Sequence, residues 1–350
     1  MLELTNTRHN PLIDPQLAVW SWEIPVYLFL GGLVAGLMVL GGLAMRRVAR
    51  GEDSRAFFSM QAPLLGFVLI NLGMGALFLD LTHKLYVWRV YLTLQPTSPM
   101  SWGSWVLLLV YAALLVSALV RLDEGWPWLA RHVPALSRVS VALIERPAWL
   151  AALGWTNIVL GVAVGIYTGI LLNTMVARPL WNSAILGPLF LFSGLSAGAA
   201  TLHLASALWP GRPAPQGMIG GAFASTVQPV GAQPPAKHTI NGLIRYDQLF
   251  LVVELVLIAL LLVNLYTSSA SHAHAAALIV SGPYAAAFWG LVVGLGVLLP
   301  IVWQALELSQ HVRHTVVPAV LVLVGGFTLR WIMVNAGQLS HIVPVASLAY

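Results

Sequence analysis

Cysteine is absent from the 350 residues of the chain. Without thiolate ligands the chain can hold neither a cysteine-ligated iron–sulfur cluster nor a disulfide bond. Charge is also scarce, because Asp, Glu, Lys and Arg make up only 8% of the residues, whereas they make up about 25% of an ordinary soluble domain. An ordinary soluble fold is therefore excluded, and any electron carrier bound by cysteines belongs to another subunit.

Long apolar runs take the place of charge, since 59% of the residues are hydrophobic. A helix needs about 20 mostly apolar residues to cross a hydrocarbon core about 30 Å thick. Eight segments meet this requirement, which predicts an all-α integral membrane protein with eight transmembrane helices. The predicted spans are Trp22–Met45, Phe57–Leu81, Gly103–Val120, Trp149–Leu172, Ala184–Leu208, Tyr246–Tyr266, Pro283–Leu306 and Val316–Ala336.

Lys and Arg are unevenly divided between the two sets of loops that eight spans create. One set holds 12 of these residues, the other holds 4, and Arg330 lies inside the last span. Basic loops stay in the cytoplasm, so we expect both termini outside the cytoplasm, in a bacterial or archaeal cytoplasmic (inner) membrane. The net charge of +5 follows from these loops and does not indicate a nucleic-acid partner.

The first and fifth spans share a pattern of small residues, FLGGLVAG at 29–36 and LFSGLSAG at 191–198. Four spans in each half would make a parallel repeat with its axis along the membrane normal. We therefore predict two four-helix bundles, residues 1–175 and 176–350, joined by a cytoplasmic Pro- and Gly-rich loop at 209–244. The alternative is that Gly and Ala recur only because membrane helices pack closely.

Polar side chains collect at the outer ends of the predicted spans. An ionisable side chain inside a span costs about 2.5 to 3.5 kcal/mol, so such residues usually face the bundle interior and mark a functional path. Together they predict a polar pocket that faces outward. The group consists of Glu23, Tyr27, Asp80, His83, Tyr167, Thr168, Asn173, Arg330, Asn335 and Gln338.

Each of these residues has an ordinary alternative explanation. Asp80 could be an interfacial carboxylate that pairs with Lys84, and His83 an interfacial histidine without a function. Trp22 is a typical interface anchor, while Glu23 could be a charge in the first turn of a helix that Pro25 starts. Arg330 is the hardest to explain in this way, because a permanent charge inside a span needs an anionic or carbonyl partner.

A sparser polar series follows the inner halves of the later spans, with His203, Asp247, Glu254 and Glu307. Glu254, together with Arg330 and His203, is a candidate for a proton path. The alternative is a carboxylic acid that burial keeps neutral and that bonds to a neighbouring helix.

Histidine positions argue against haem. Two axial imidazoles need similar depths on facing helices, whereas His83 lies at the outer end of one span and His203 towards the inner end of another. Haem b is therefore disfavoured, and we expect no haem, no iron–sulfur cluster and no metal site in this chain.

Several motifs taken together resemble the NrfD/PsrC family, the integral membrane quinone-interacting subunits of polysulfide-reductase-type respiratory complexes. The resemblance covers nearly all eight spans. Its carriers are WEIPVYLFLGGLVAG from Trp22, LDLTHKLYVWRVYL from Leu79, TSPMSWGSW from Thr97, YTGILLN from Tyr167, PLWNSAILGPLFLFSGLSAG from Pro179 and RWIMVNAGQ from Arg330.

The resemblance implies a quinone or quinol site, for menaquinone or ubiquinone, near the outer face of the first bundle. It also implies an extracytoplasmic iron–sulfur subunit of the four-cluster ferredoxin type and a further catalytic subunit, often a molybdopterin enzyme. The chain would then exchange electrons with the quinone pool without acting on the terminal substrate. Matched onto this sequence, the aromatic residue of the YTG motif is Tyr167 and the carboxylate of the LDL motif is Asp80. Together with the polar group at the outer ends of the spans, this predicts Asp80, His83 and Tyr167 as the acid/base and donor residues. The predicted quinone-binding residues are Trp22, Glu23, Tyr27, Asp80, His83, Tyr167, Thr168 and Asn173.

Two other classes of protein share some of these features. A secondary transporter also has repeats, carboxylates inside spans and interruptions such as Pro300, although its polar groups usually gather at the midplane. A purely structural anchor would have the same spans without quinone chemistry. Copurification of an iron–sulfur protein and reduction of its clusters by a quinol analogue separate the three.

The charge asymmetry predicts the sides of the membrane. A reporter fused after Tyr350 should be active outside the cytoplasm, and a reporter inserted between Pro210 and Thr239 should be active inside, because basic loops resist translocation. Alkaline phosphatase and green fluorescent protein fusions measure the two sides. A cytoplasmic C-terminus would contradict the assignment of the outer pocket as well.

Overall fold

The structure is a computed structural model that describes residues 20–52, 62–120, 122, 132–208 and 236–342. Within these residues eight helices are long and apolar enough to span a membrane, which confirms a multi-pass, all-α membrane protein. We name them TM1 to TM8. Their bounds are Glu23–Val48, Ala62–Asp80, Pro99–Ala118, Pro147–Asn173, Leu186–Leu208, Lys237–Ser268, Ala287–Leu308 and Val317–Leu339.

We call the end with the start of TM1 and the end of TM2 the outer end, and the opposite end the inner end. In the described part of the connections, short helices lie at the outer end, Arg89–Leu92 and Ala270–Val280, and at the inner end, Pro134–Ile144. A single 3-10 turn, Lys84–Tyr86, follows TM2. The connections at the outer end therefore carry most of the additional described structure.

The sixth span is longer than the sequence predicts, since it begins at Lys237 rather than at Tyr246. Its 32 residues give a helix about 48 Å long, which exceeds a hydrocarbon core of about 30 Å. The first turns therefore extend beyond the apolar core at the inner end, where Lys237 and Arg245 can remain hydrated. Residues 237–244 are thus helical and not part of the connection, whose remainder at 209–235 lies outside the described residues.

The seventh span changes helix type. Residues Ala287–Leu298 form a π-helix and Leu299–Leu308 continue as an α-helix, with Pro300 in the first α-helical turn. The π-helical part carries the close contact with TM8, because a Cβ at Gly296 would lie 2.6 Å from the Cα of Gly325. π-Helical turns are rare and often accompany functional sites. Here the segment sets which side chains of the inner half of TM7 face TM6.

We call TM1–TM4 the first set of spans and TM5–TM8 the second. TM1 and TM3 each contact TM2 and TM4, and TM5 and TM7 each contact TM6 and TM8. TM1 and TM5 meet between the sets, while TM4 also contacts TM5 and TM1 also contacts TM8. The division at 1–175 and 176–350 and the internal repeat stay predictions.

TM1 and TM5 cross at glycines from the two similar motifs. A Cβ at Gly194 would lie 2.5 Å from the carbonyl oxygen of Gly32, and a Cβ at Gly198 would lie 2.6 Å from the Cα of Gly36. Each pair, Gly32 with Gly36 and Gly194 with Gly198, has the spacing of a small-xxx-small motif, which lets helix backbones touch in a membrane. The motifs therefore serve as the contact between the two sets of helices.

This crossing predicts the effect of adding one methyl group. Gly36→Ala should lower the stability of the protein by about 1–3 kcal/mol, because the new Cβ overlaps the Gly194 carbonyl oxygen and the backbones must separate. Gly41→Ala on the same helix is the matched control, since a Cβ there meets nothing within 4 Å. Thermal unfolding of the two variants in detergent gives the comparison, and equal midpoints would contradict the crossing.

Candidate functional site

Two carboxylates face each other at the outer end of TM1 and TM2. Leu30 of TM1 lies against Gly73 of TM2, where an added Cβ would be 3.3 Å from the Leu30 Cβ. About two helical turns toward the outer end from these residues are Glu23 and Asp80. The antiparallel packing thus brings both carboxylates to one level, close enough for their charges to interact.

Among the described residues, neither carboxylate forms an ion pair. Glu23 Oε2 is buried and has no hydrogen-bond partner among the described residues. Asp80 is partly buried, and Lys84 affects its charge from a distance without forming an ion pair with it in the described part of the chain. The pairing with Lys84 that would explain Asp80 as an interfacial residue is therefore not the arrangement found.

Tyrosine side chains lie below the carboxylates. Tyr27 is one helical turn from Glu23, is buried, and interacts electrostatically with Tyr167 of TM4 and with Tyr91. Tyr167 packs directly on Gly103 of TM3, so the absence of a side chain at Gly103 makes room for the phenol ring. No hydrogen bond joins the Tyr27 or Tyr167 hydroxyl to the other described residues, and both remain available to a ligand.

Tyr91 is a site residue that sequence analysis missed. It lies on the short helix Arg89–Leu92, in a connection and not in a span, so the position of polar residues at the ends of the predicted spans does not indicate it. Hydrogen bonds from Ser104 Oγ to the Val90 carbonyl oxygen, 3.4 Å, and from Ser101 Oγ to the Thr93 carbonyl oxygen, 3.3 Å, hold this helix against TM3. Burial raises the pKa of Tyr91, so its phenol stays a hydrogen-bond donor at neutral pH.

The other predicted ligand residues lie at the edge of this group. Trp22 is 56% exposed, and His83 is exposed with its ring against Tyr86. Thr168 is buried, but its hydroxyl donates to the Gly165 carbonyl oxygen at 3.0 Å, which leaves it as a packing residue beside Gly31. Asn173 is partly buried at the last residue of TM4.

Residues of TM8 that were expected in the same pocket are engaged elsewhere. Gln338 exchanges two 2.9 Å hydrogen bonds with the backbone of Trp20, and Asn335 Nδ2 donates to the Trp331 carbonyl oxygen. Arg330 is fully buried and donates to Ser193 Oγ, the Gly326 carbonyl oxygen and the Phe190 carbonyl oxygen. The polar group at the outer end therefore comes from TM1, TM2 and TM4 and from the connection after TM2, with Gly103 of TM3 beside Tyr167.

The residues proposed for a proton path lie apart from this pocket. Glu254 and His203 are buried on TM6 and TM5, and Arg330 of TM8 lies against TM1, because a Cβ on Gly32 would be 2.7 Å from Arg330 Nη2. The structure thus divides the candidate residues into an outer group in the first four spans and an inner group in the last four.

Known proteins resemble the chain over most of its length. The family model described as Polysulphide reductase, NrfD matches residues 11–220 and 216–342. The C component of the polysulfide reductase of Wolinella succinogenes is 30% identical over 91% of this chain and 94% of its own length. Protein NrfD of Escherichia coli is 30% identical over 92% of this chain and 96% of its own length.

A more distant relative extends the comparison. The C component of the selenate reductase of Mesobacillus selenatarsenatis is 25% identical over 90% of this chain and 73% of its own length. The match to the family model and the two relatives at 30% identity confirm the resemblance that the motifs indicated. The chain belongs to the NrfD family of polysulphide-reductase-type membrane proteins.

Proposed function

We propose that the chain is the membrane anchor and quinone-interacting subunit of a respiratory oxidoreductase complex. One observation carries the proposal: at the outer end Glu23 and Asp80 have no ion pair in the described residues, and Tyr27, one helical turn from Glu23, lies near Tyr167. Carboxylates and phenols at neighbouring levels supply both an acid/base group and hydrogen-bond donors. The relatives support the assignment to a reductase complex, because two of them are named as components of polysulfide and selenate reductases.

These residue types fit a quinone headgroup. When bound, a quinone takes up electrons and protons at its two carbonyl oxygens, and the quinol releases them again. Tyr27 and Tyr167 donate hydrogen bonds to an acceptor in the pocket, while Trp22, Thr168 and Asn173 line its edge. The pocket residues thus bind by hydrogen bonding and packing, without a metal ligand.

The carboxylates exchange the protons in this proposal. Asp80 is partly buried and beside the outer surface, so it can accept a proton inside the pocket and release it to water. Glu23 is near enough for its charge to act on that of Asp80. His83 is exposed beyond Asp80 and relays protons to the outer phase.

Electrons leave through another subunit in this proposal. The chain contains no cysteine, so an iron–sulfur subunit of four-cluster ferredoxin type accepts the electrons at the outer end, and a molybdopterin or other catalytic subunit lies beyond it. With both termini outside the cytoplasm, the complex faces the extracytoplasmic side of the inner membrane.

Asp80 and Tyr167 should affect turnover in different ways. Asp80→Asn keeps the shape but removes the base, so quinol-dependent reduction of the partner's clusters should fall by roughly 10²–10⁴-fold. Tyr167→Phe leaves a ligand oxygen unpaired at a cost of about 1–3 kcal/mol, so it should mainly weaken quinone affinity. Stopped-flow reduction of the clusters by a quinol analogue, over a range of concentrations, measures both effects.

Two variants serve as matched controls. Glu145→Gln changes an exposed carboxylate at the inner end, and Tyr284→Phe changes a tyrosine that packs on Trp331 in the second set of spans. Both should retain normal rates. A wild-type rate for Asp80→Asn, at normal subunit abundance, would contradict the acid/base role of Asp80. A chain that purifies without an iron–sulfur partner would favour a transporter.

A steric variant tests the position of Tyr167 separately from its hydroxyl. Gly103→Ala places a methyl group where the Tyr167 ring lies, so the ring must move and quinone affinity should fall at least as far as in Tyr167→Phe, by about 1–3 kcal/mol. Gly75→Ala on TM2 is the control, because a Cβ there meets nothing within 4 Å. Calorimetric titration with a quinone analogue gives the affinities, and unchanged binding in Gly103→Ala would contradict the proposed pocket.

A further inference from the structure

Buried polar side chains of TM5, TM6 and TM7 meet at Asp247. Ser196 Oγ donates to Asp247 Oδ1 at 2.7 Å, and Gln304 Nε2 donates to Asp247 Oδ2 at 2.6 Å. All three residues are at most 4% exposed. One carboxylate therefore joins three helices about three turns from the start of TM6, in a region that should be apolar if these helices only packed together.

A second carboxylate lies about two turns farther along the same face of TM6. Glu254 is 3% exposed and interacts with Ser193 of TM5, with Arg330 of TM8 and with Asp247. Ser193 also accepts a hydrogen bond from Arg330 Nη1 at 2.9 Å. Because the Arg330 guanidinium lies against Gly32 of TM1, this second carboxylate is next to the contact between the two sets of spans.

The series reaches the inner surface through Glu307. Its Oε1 accepts hydrogen bonds from the backbone N–H and the hydroxyl of Thr315, at 2.9 and 3.1 Å. Its Oε2 lies 3.6 Å from Nδ1 of His314, whose side chain is 39% exposed while that of Glu307 is fully buried. His203 of TM5 interacts with both residues. A titratable group in contact with water thus stands beside a buried carboxylate.

Unpaired polar atoms indicate where water can connect these groups. Gln304 Oε1 and Glu307 Oε2 are buried and have no hydrogen-bond partner among the described residues. Gln304 and Glu307 are also neighbours on one face of TM7. Since buried polar atoms are nearly always bonded to protein or to ordered water, both atoms are sites for water between Glu307 and Asp247.

The outer side of the same spans is closed. Beyond Arg330 the interior consists of large apolar side chains that are at most 1% exposed, including Trp181, Phe190, Phe288 and Met333. No comparable polar series continues outward through these described residues. The buried groups therefore form a series that begins beside the exposed His314 and ends at Arg330.

We propose that Glu307, Asp247 and Glu254 form a proton-conducting series that connects the inner surface with the Arg330 junction beside TM1. A proton enters at His314 and Glu307, passes through water to Asp247 and then to Glu254, and returns by the same route when the reaction reverses. Arg330 keeps its own charge and attracts the carboxylate form of Glu254, which favours release of the proton. The series neither makes nor consumes protons.

This inference rests on the proposed function for its physiological role. The pocket lies at the outer end, and so would the electron acceptor. Proton uptake from the inner end into the buried series would therefore move charge part of the way across the membrane, whereas exchange through Asp80 with the outer phase would not. Charge movement during turnover thus separates the two routes.

The first experiment uses the whole complex in proteoliposomes with a voltage-sensitive dye and an internal pH dye. Turnover with a quinol analogue should move charge part of the way across the membrane, as the series takes up protons from the inner phase and returns them to it. Asp247→Asn and Glu254→Gln should each reduce proton movement per electron at least tenfold, the lower range for losing a proton-transfer group, while Glu145→Gln leaves it unchanged. Glu254→Asp, which keeps the acid, should restore part of the movement.

A second measurement does not depend on quinone chemistry. In the purified full-length protein, the variants Asp247→Asn and Glu254→Gln assign the infrared carboxyl bands of Asp247 and Glu254. After transfer to heavy water these bands should shift as the carboxyl protons exchange for deuterium. The exchange should be at least tenfold slower in Glu307→Gln. If quinol turnover fails but this exchange is seen, the proposed function falls and the proton-conducting series stands. Bands that exchange equally fast in Glu307→Gln, or folded Glu254→Gln complexes with undiminished proton movement, would overturn the series.

Discussion

The close crossing of TM1 and TM5 is the contact on which the rest of the arrangement depends. In a membrane, helices gain little from excluding water, so close backbone packing and interhelical hydrogen bonds provide most of the attraction between them. Gly32 and Gly36 meet Gly194 and Gly198 with no side chain between the two backbones. This single approach sets the distance between the two sets of spans, and it brings TM8 against TM1 and TM4 against TM5.

The same crossing makes a buried arginine possible. Arg330 needs space and partners at a depth where an isolated charge is costly, and Gly32 provides the space because any side chain there would collide with the guanidinium. Ser193, the Gly326 carbonyl and the Phe190 carbonyl provide hydrogen bonds, and Glu254 provides the opposite charge. Gly32 thus has two roles, one in helix packing and one in making room for the Arg330 guanidinium. A larger side chain at this position would disturb both contacts.

Sequence reasoning predicted the spans well because apolar length is a direct physical requirement of the bilayer. It placed the start of TM6 too late, since the polar turns around Lys237 and Arg245 interrupt the apolar pattern without interrupting the helix. The π-helix of TM7 has no comparable signal, because its Gly- and Val-rich sequence is equally typical of a regular span. Glu23 and Asp80 could be placed at one level from topology alone, but Tyr91 required the fold of a connection.

Depth alone also could not assign residues to one site. Arg330, Asn335 and Gln338 belong to TM8 and share with Asp80 a position toward the outer end, yet their hydrogen bonds are made to Ser193, Trp331 and Trp20. The neighbours of a residue depend on how the helices pack, and that packing is set by glycine contacts. The pattern of polar residues in the sequence does not predict these contacts. The structure instead separates polar groups by helix set, with carboxylates and tyrosines at the outer end of TM1–TM4 and buried acids from the inner end to the middle of TM5–TM8. Arg330 lies beside the TM1–TM5 crossing, where its guanidinium contacts Gly32 and its charge acts on Glu254.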